Sequence, residues 1–276
     1  MENHQKSGIG NAKILSYLAE MYLYPNSFET LIYASQLLQA EAIKYGVEHF
    51  RRLRGTCMGS IYWQFNNCWT VASWSSVDYY GRCKALHYAA KKFHAPVAMG
   101  LFFEKDNVTV NISNETMNSF KGMIKGKICK KDFSVIKEFE CDANVDPLTG
   151  KDVFSFDCGG VNIYDTYICV ELFDKHGNFV MKQTELYTKP KYFEWDDTCV
   201  KYETFTDENV TKIHFTADCF AKGVFIEFNN FDVILSDNCF DITDESGYTV
   251  TMDGIYSEED IKENITVKTV YNIGRD

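Results

Sequence analysis

The stretch "MGSIYWQFNNCWTVASWSS" crowds three of the chain's four tryptophans, Trp63, Trp69 and Trp74, into twelve residues. Gln64, Asn66 and Asn67 stand among them. An aromatic face beside amide groups suits a sugar, whose C–H bonds lie on the ring while its hydroxyls meet the amides. Trp63 is the ring placed for that role, because it ends a short apolar run. Asn66 and Asn67 follow at once as candidate hydroxyl partners. Trp69 and Trp74 are read as packing residues that plug one end of a domain or a contact between domains.

Other residues imitate chemistry more weakly. "GIGNAK" offers Gly8 and Gly10, half of a dinucleotide-binding loop, but Lys13 stands where a third glycine belongs and no strand precedes it. "GTCMG" places Cys57 as in a nucleophile elbow. An elbow needs a strand before it and a helix after it, and here the order is reversed. The six histidines show no ligand spacing, so neither a metal site nor a cofactor is expected. Glu41 and Glu48 lie seven apart on one helix face and could form an acid/base pair. Lys44, Arg51 and Arg52 are within pairing reach of them, so a solvated charged face is expected instead.

The elements that must position Trp63 can be read from periodicity. "NAKILSYLAEMYLY" carries Ile14, Leu18 and Tyr22 at helical spacing. A long helix follows Pro25, with Asn26 and Glu29 as a capping box and with Arg51, Arg52, Arg54 and Gly55 closing it. "TCMGSIYW" reads as a short strand buried on both faces, "QFNNCWTVASWSSVDYYG" as a loop, and "RCKALHYAAKKFH" as a second helix ended by Pro96. A doubly buried strand between helices belongs to a parallel α/β sheet. One strand cannot make a sheet, so residues 1–95 read as the last piece of a larger α/β domain. In a (β/α)8 barrel, Trp63 would lie at the mouth, where the strands end and chemistry is done.

After residue 96 the period changes from 3.6 to 2. Val108, Val110 and Ile112 alternate with polar residues, as do Ile168, Val170 and Leu172. Later runs hold Ile213, Phe215 and Ala217, then Val224, Ile226 and Phe228, then Tyr248, Val250 and Met252, then Ile265, Val267, Thr269 and Tyr271. With turns such as "DKHGN" and "DESG", this predicts two antiparallel β-sandwiches over 96–189 and 190–276, divided near Pro190.

Charge divides at the same place. Residues 1–95 carry ten Lys and Arg against six Asp and Glu, and residues 96–276 carry eighteen against thirty-three. The acidic half argues against nucleic acid as a partner. No run of apolar residues is long enough for a membrane span, and "MENHQKSGIGNAK" has no apolar signal core. The ten cysteines are scattered, mostly in apolar runs, with no C-x-x-C pair. Free buried thiols in a reducing, cytoplasmic setting are expected. On that reading the sequons at Asn107, Asn111, Asn114, Asn209 and Asn264 are chance matches.

These residues point to a family. "SQLLQAEAIKYGVEHFRRLRGTCMGSIYWQFNNCWTVASWSSVDYYGRCKALHYAAKKFHAPV" closely resembles the end of the catalytic barrel in β-mannosidases of glycoside hydrolase family 2. "MGSIYWQFNNCW", "ASWSSVDYYGR" and "KALHY" are its specific parts, and "ENHQK" also fits. "VFIEFNNFDVILSDNCFDI" resembles the immunoglobulin-like domain that closes these enzymes. The resemblance implies a retaining glycosidase acting on terminal β-mannosides, with two glutamates about 5–5.5 Å apart across the scissile bond. It places Trp63 at the family's tryptophan that lines the sugar pocket, and Asn67 where the family commonly has Asp. Both catalytic motifs lie upstream of the matched region. Asn114–Glu115, Glu138–Phe139 and Glu227–Phe228 imitate them in letters only, so no catalytic residue is assigned. The expectation is a C-terminal part of such an enzyme, inactive alone, whose partners are a β-mannoside or oligosaccharide and the rest of the barrel. The alternative is a non-catalytic sandwich module that binds a glycan or a protein.

Overall fold

The computed structural model describes residues 1–207 and 210–275. Two compact units divide the chain: residues 1–41, 63–88 and 189–276 in the first, and residues 42–62 and 89–188 in the second.

Three helices come first: α1 (Gly10–Met21), α2 (Phe28–Arg52) and α3 (Ala85–Phe93). Of the three residues at helical spacing, Leu18 is buried on α1, Ile14 is half-buried, and Tyr22 is buried just beyond the helix as its C-cap. The start of α2 lies one residue beyond the expected box. Ser27 Oγ accepts from the Thr30 N–H at 3.1 Å, and Thr30 Oγ1 accepts from the Ser27 N–H at 3.0 Å. Serine is as good a cap as asparagine, and Asn26 Nδ2 is spent on the Arg275 carbonyl, 2.8 Å away. At 1.5 Å per residue the 25 residues of α2 span about 37 Å.

The segment between α2 and the tryptophan loop departs from expectation. Residues 57–63 form no strand, and among the described residues no strand or bridge pairs with them. Ile61 is 99% exposed, and Met58 and Trp63 are exposed with it. An apolar, β-branched run favours extension, but a strand exists only where a neighbour takes its N–H and C=O groups.

In the second unit the expected alternation produces seven strands: β1 (Val97–Glu104), β2 (Asn107–Asn114), β3 (Phe120–Lys130), β4 (Val135–Val145), β5 (Thr149–Asp157), β6 (Thr166–Asp174) and β7 (Phe179–Leu186). They pair antiparallel in two sheets, ordered β1-β2-β5 and β4-β3-β6-β7. Val108, Val110 and Ile112 of one sheet and Ile168, Val170 and Leu172 of the other are all fully buried in one shared core. The "DKHGN" turn joins β6 to β7: Asp174 Oδ1 accepts from the His176 and Asn178 N–H groups, and Gly177 takes φ +82°.

The first unit adds β8 (Lys201–Asp207), β9 (Val210–Thr216), β10 (Ala221–Phe228), β11 (Phe240–Ile242), β12 (Tyr248–Met252), α4 (Glu258–Asn264) and β13 (Ile265–Lys268). Their sheets run β12-β9-β8 and β11-β10-β13. Phe215 of β9 packs on Phe240 of β11 (ring centroids 5.6 Å), which stacks on Tyr248 of β12 at 4.3 Å. The β10–β11 register slips between Ala221 and Val224, around Gly223 at φ +65°. Tyr33 of α2 donates to the Gly223 carbonyl at 2.5 Å and stacks on Phe225, so this bulge seats the helix on the sheet.

Two sequence readings meet the structure directly. The ten cysteines stand as thiols, but only Cys129, Cys158, Cys169 and Cys219 are buried, and Cys68 and Cys199 are exposed. Of the sequons, Asn111, Asn114 and Asn264 are buried, and Asn209 lies outside the described residues.

Candidate functional site

The loop from Trp63 to Arg82 belongs wholly to the first unit. Its skeleton is a small three-stranded clasp. Ser76 N–H is shared between the Gln64 and Phe65 carbonyls (3.0 and 3.1 Å), Val77 N–H bonds Phe65 O at 2.8 Å, and Lys84 N–H bonds Ser76 O at 2.9 Å. Val77 thus bridges Asn66 on one side and Cys83 on the other. The turn beyond it is set by Asp78, whose Oδ1 accepts from the Tyr80 and Arg82 N–H groups at 2.8 and 2.9 Å.

Polar side chains fill the inside of the clasp. Asn67, Ser75 and Ser76 are buried. Ser73 Oγ donates to Asn67 Oδ1 at 2.5 Å, and Ser75 N–H donates to Ser73 Oγ at 3.2 Å. Lys84 Nζ donates to Ser75 Oγ at 2.9 Å and to the Ser73 carbonyl at 3.3 Å. Burial holds the Lys84 ammonium below the usual lysine range, with Asp78 opposing that shift. Helix α2 holds the loop and the start of α3: Gln39 Nε2 donates to the Trp74 carbonyl at 2.7 Å, and the Ala85 N–H donates to Gln36 Oε1 at 3.1 Å.

The outside of the clasp is aromatic. Trp63 is 72% exposed, and Phe65, Trp74, Tyr79 and Tyr80 are also exposed. Trp69 is partly covered, by the His4 ring and by Lys6 Nζ, 4.9 Å from its centroid. Arg82 lies over Tyr80 and holds Asp232 with two N–H groups, at 2.5 and 3.3 Å. The peptide bond between Trp63 and Gln64 is cis.

The three sequence-derived residues therefore sit together but differ in state. Trp63 presents its ring to solvent. Asn66 is exposed, and its Nδ2 rests 3.3 Å from the Asn67 carbonyl. Asn67 faces inward and holds Ser73. The supporting set of Ser73, Ser75, Lys84, Gln36 and Gln39 was not singled out from sequence. Its only signal was the run of small polar residues inside an aromatic stretch.

The helix carboxylates correct an expectation. Glu48 does not lie on a solvated face. It is half-buried in the second unit, where Gln183 Nε2 donates to its Oε1 at 2.6 Å. Burial raises its carboxyl to about 7, against the opposing charges of Lys44 and Arg51. Glu41 belongs to the other unit. Among the described residues no group of three or more His, Cys, Asp or Glu could hold a metal, and no helix is long and apolar enough to cross a membrane. The look-alike glutamates are engaged elsewhere: Glu115 pairs with Arg54, Glu138 with Lys127 and Glu227 with Lys268.

Comparison with known proteins agrees with this architecture. Residues 106–192 match a mannosidase Ig/CBM-like domain, and residues 195–273 match the Ig-fold domain of mannosidases. β-Mannosidase from Capra hircus is 37% identical over 110 residues, 35% of this chain and 12% of the goat protein. β-Mannosidase B from Aspergillus flavus is 24% identical over 275 residues, 92% of this chain and 32% of that protein. The crystal structure of β-D-mannosidase from Dictyoglomus thermophilum superposes with a TM-score of 0.87 at 22% identity, covering 98% of this chain and 33% of that one. The chain spans about a third or less of the length of these relatives. Over nearly its whole length the chain is therefore similar to a part of β-mannosidases, with two mannosidase Ig-like domains in order.

Proposed function

We propose that this chain supplies one wall of a β-mannoside-binding pocket and that the reacting carboxylates belong to a part of the enzyme outside it. In this reading residues 1–95 are the last βα portion of a (β/α)8 barrel, followed by immunoglobulin-like sandwiches over 96–189 and 190–276. Trp63 stacks on the sugar bound at the cleavage point, Asn66 meets a hydroxyl, and Asn67 shapes the pocket from beneath. The reaction of the complete enzyme is retaining hydrolysis of terminal β-mannosides. The reducing cytoplasm is the proposed setting, in keeping with the free thiols.

One observation carries the reading: a tryptophan 72% exposed on an internally bonded loop, at the end of an apolar segment that pairs with no strand among the described residues. Such a segment takes partner strands, and the aromatic face then closes over a ligand. The chain alone is expected to leave an aryl β-mannoside intact. Co-expression with the N-terminal two-thirds of a β-mannosidase relative is expected to restore turnover, and Trp63→Ala to abolish it. Turnover by the chain alone that survives Trp63→Ala would overturn the proposal.

A further inference from the structure

A small cavity in the second unit lies apart from the tryptophan loop. Its volume is about 10 Å³, and it is lined by Glu48 and Arg51 of α2, Phe93 of α3, Met99 and Gly100 of β1, and Ser113 of β2, among others. That volume is close to the least that accommodates one water molecule, which also needs two to four polar partners.

The lining provides them. Arg51 Nη1 donates to the Phe93 carbonyl at 2.6 Å, but its Nε and Nη2 are buried without a hydrogen-bond acceptor. Unsatisfied guanidinium donors are costly, because desolvation is not returned by any bond. Glu48, one helical turn earlier, commits Oε1 to Gln183. A Cβ added at Gly100 would lie 3.4 Å from its Oε2, which places that oxygen on the cavity side. Glu48 and Arg51 form no direct ion pair, although i, i+3 spacing on a helix permits one. Ser113 Oγ has only a long bond, 3.4 Å to the Ala98 carbonyl.

We infer that this cavity is a built site for one ordered water molecule, which accepts from Arg51 Nε or Nη2 and donates to Glu48 Oε2. The water replaces the missing ion pair with two bonds, between side chains one turn apart near the end of α2. Gly100 is the residue that leaves room for it: a methyl group there would meet the Phe102 ring at 3.1 Å and narrow the space beside Glu48.

A crystal structure of the full chain at a resolution that shows solvent tests this. The expected result is a density peak within hydrogen-bonding distance of both an Arg51 nitrogen and a Glu48 oxygen. A direct Arg51–Glu48 contact or an unfilled cavity overturns it. So does an anomalous peak at that point after a bromide soak, which would make the occupant an anion. In solution, water-¹⁷O relaxation dispersion is expected to lose the amplitude of one long-lived water in Gly100→Ala. If that variant does not fold, Arg51→Met is the second test, with the same loss expected. An unchanged amplitude in a folded variant overturns the inference.

Discussion

Ser73 and Asn67 meet through a part-buried hydrogen bond of 2.5 Å, six residues apart, and this bond closes the inside of the loop whose outside carries Trp63. The side chain of Asn67 is therefore a brace. Asn67→Ala leaves the Ser73 hydroxyl without this acceptor and is expected to cost about 1–2 kcal/mol. Chemical unfolding followed by tryptophan fluorescence checks it. Asn67→Asp keeps the acceptor and is expected to cost less at neutral pH.

Trp63 separates stability from binding. Its ring is 72% exposed, so Trp63→Ala is expected to change unfolding free energy by about 0.5 kcal/mol or less. A larger loss in thermal unfolding would mean that the ring packs on something in the chain. The same substitution in a completed enzyme is expected to remove mannoside turnover.

Glu48 gives the chain a pH signature. Burial raises its carboxyl from the ordinary 4.5 to about 7, so the native state holds this proton more tightly than the unfolded chain. Below pH 4.5 both states are protonated. Between 4.5 and about 7 only the unfolded chain releases the proton, so this group's contribution falls as pH rises through that window and stays low above it. Glu48→Gln mimics the protonated form. The difference in unfolding free energy between pH 5 and pH 8 is expected to shrink by about 2 kcal/mol in that variant. An unchanged difference would show that the carboxyl titrates normally.

Arg52 holds Asp152 of β5 with two bonds, 3.0 and 2.7 Å, and Asn111 donates to the same carboxylate at 2.7 Å. Burial pushes the Asp152 carboxyl up, and these donors more than offset it, leaving it below the usual range. Its contribution is present at neutral pH and is lost as pH falls below the ordinary aspartate value. Asp152→Ala is expected to cost about 1 kcal/mol at pH 7 and less near pH 3. Urea unfolding at both pH values reads the difference.

Residues 58–61 are expected to exchange amide hydrogens at nearly unprotected rates, while Ile168, Val170 and Leu172 exchange slowest. Mass spectrometry after brief deuteration reads both. Protection at 58–61 that grows with protein concentration would show copies of the chain pairing through this segment.

The sandwiches were legible because each strand has one buried face, and alternation such as Val108, Val110, Ile112 records that face directly. Residues 57–63 were misread because pairing is not a local property: apolar side chains say that a strand wants burial, not that a partner is present. Glu48 was misread for a related reason. On its own helix it sits among Lys44, Arg51 and Arg52 as a surface charge would, but its burial comes from β7, 135 residues away at Gln183. The cap of α2 was one residue off because Asn26 and Ser27 are both competent, and Thr30 decides between them. At the site, the aromatic and amide composition was visible, but not which amide turns inward.

Gln36 and Gln39 stand one turn apart on α2; Gln39 fastens the loop at Trp74, and Gln36 holds Ala85 at the start of α3, just beyond it. With Ser76 and Val77 tied to Gln64 and Phe65, both roots of the loop are anchored independently of its tip. Chain length is therefore free to vary between Cys68 and Val71. Extra residues inserted there would lengthen the tip and leave the Trp63 ring where it stands.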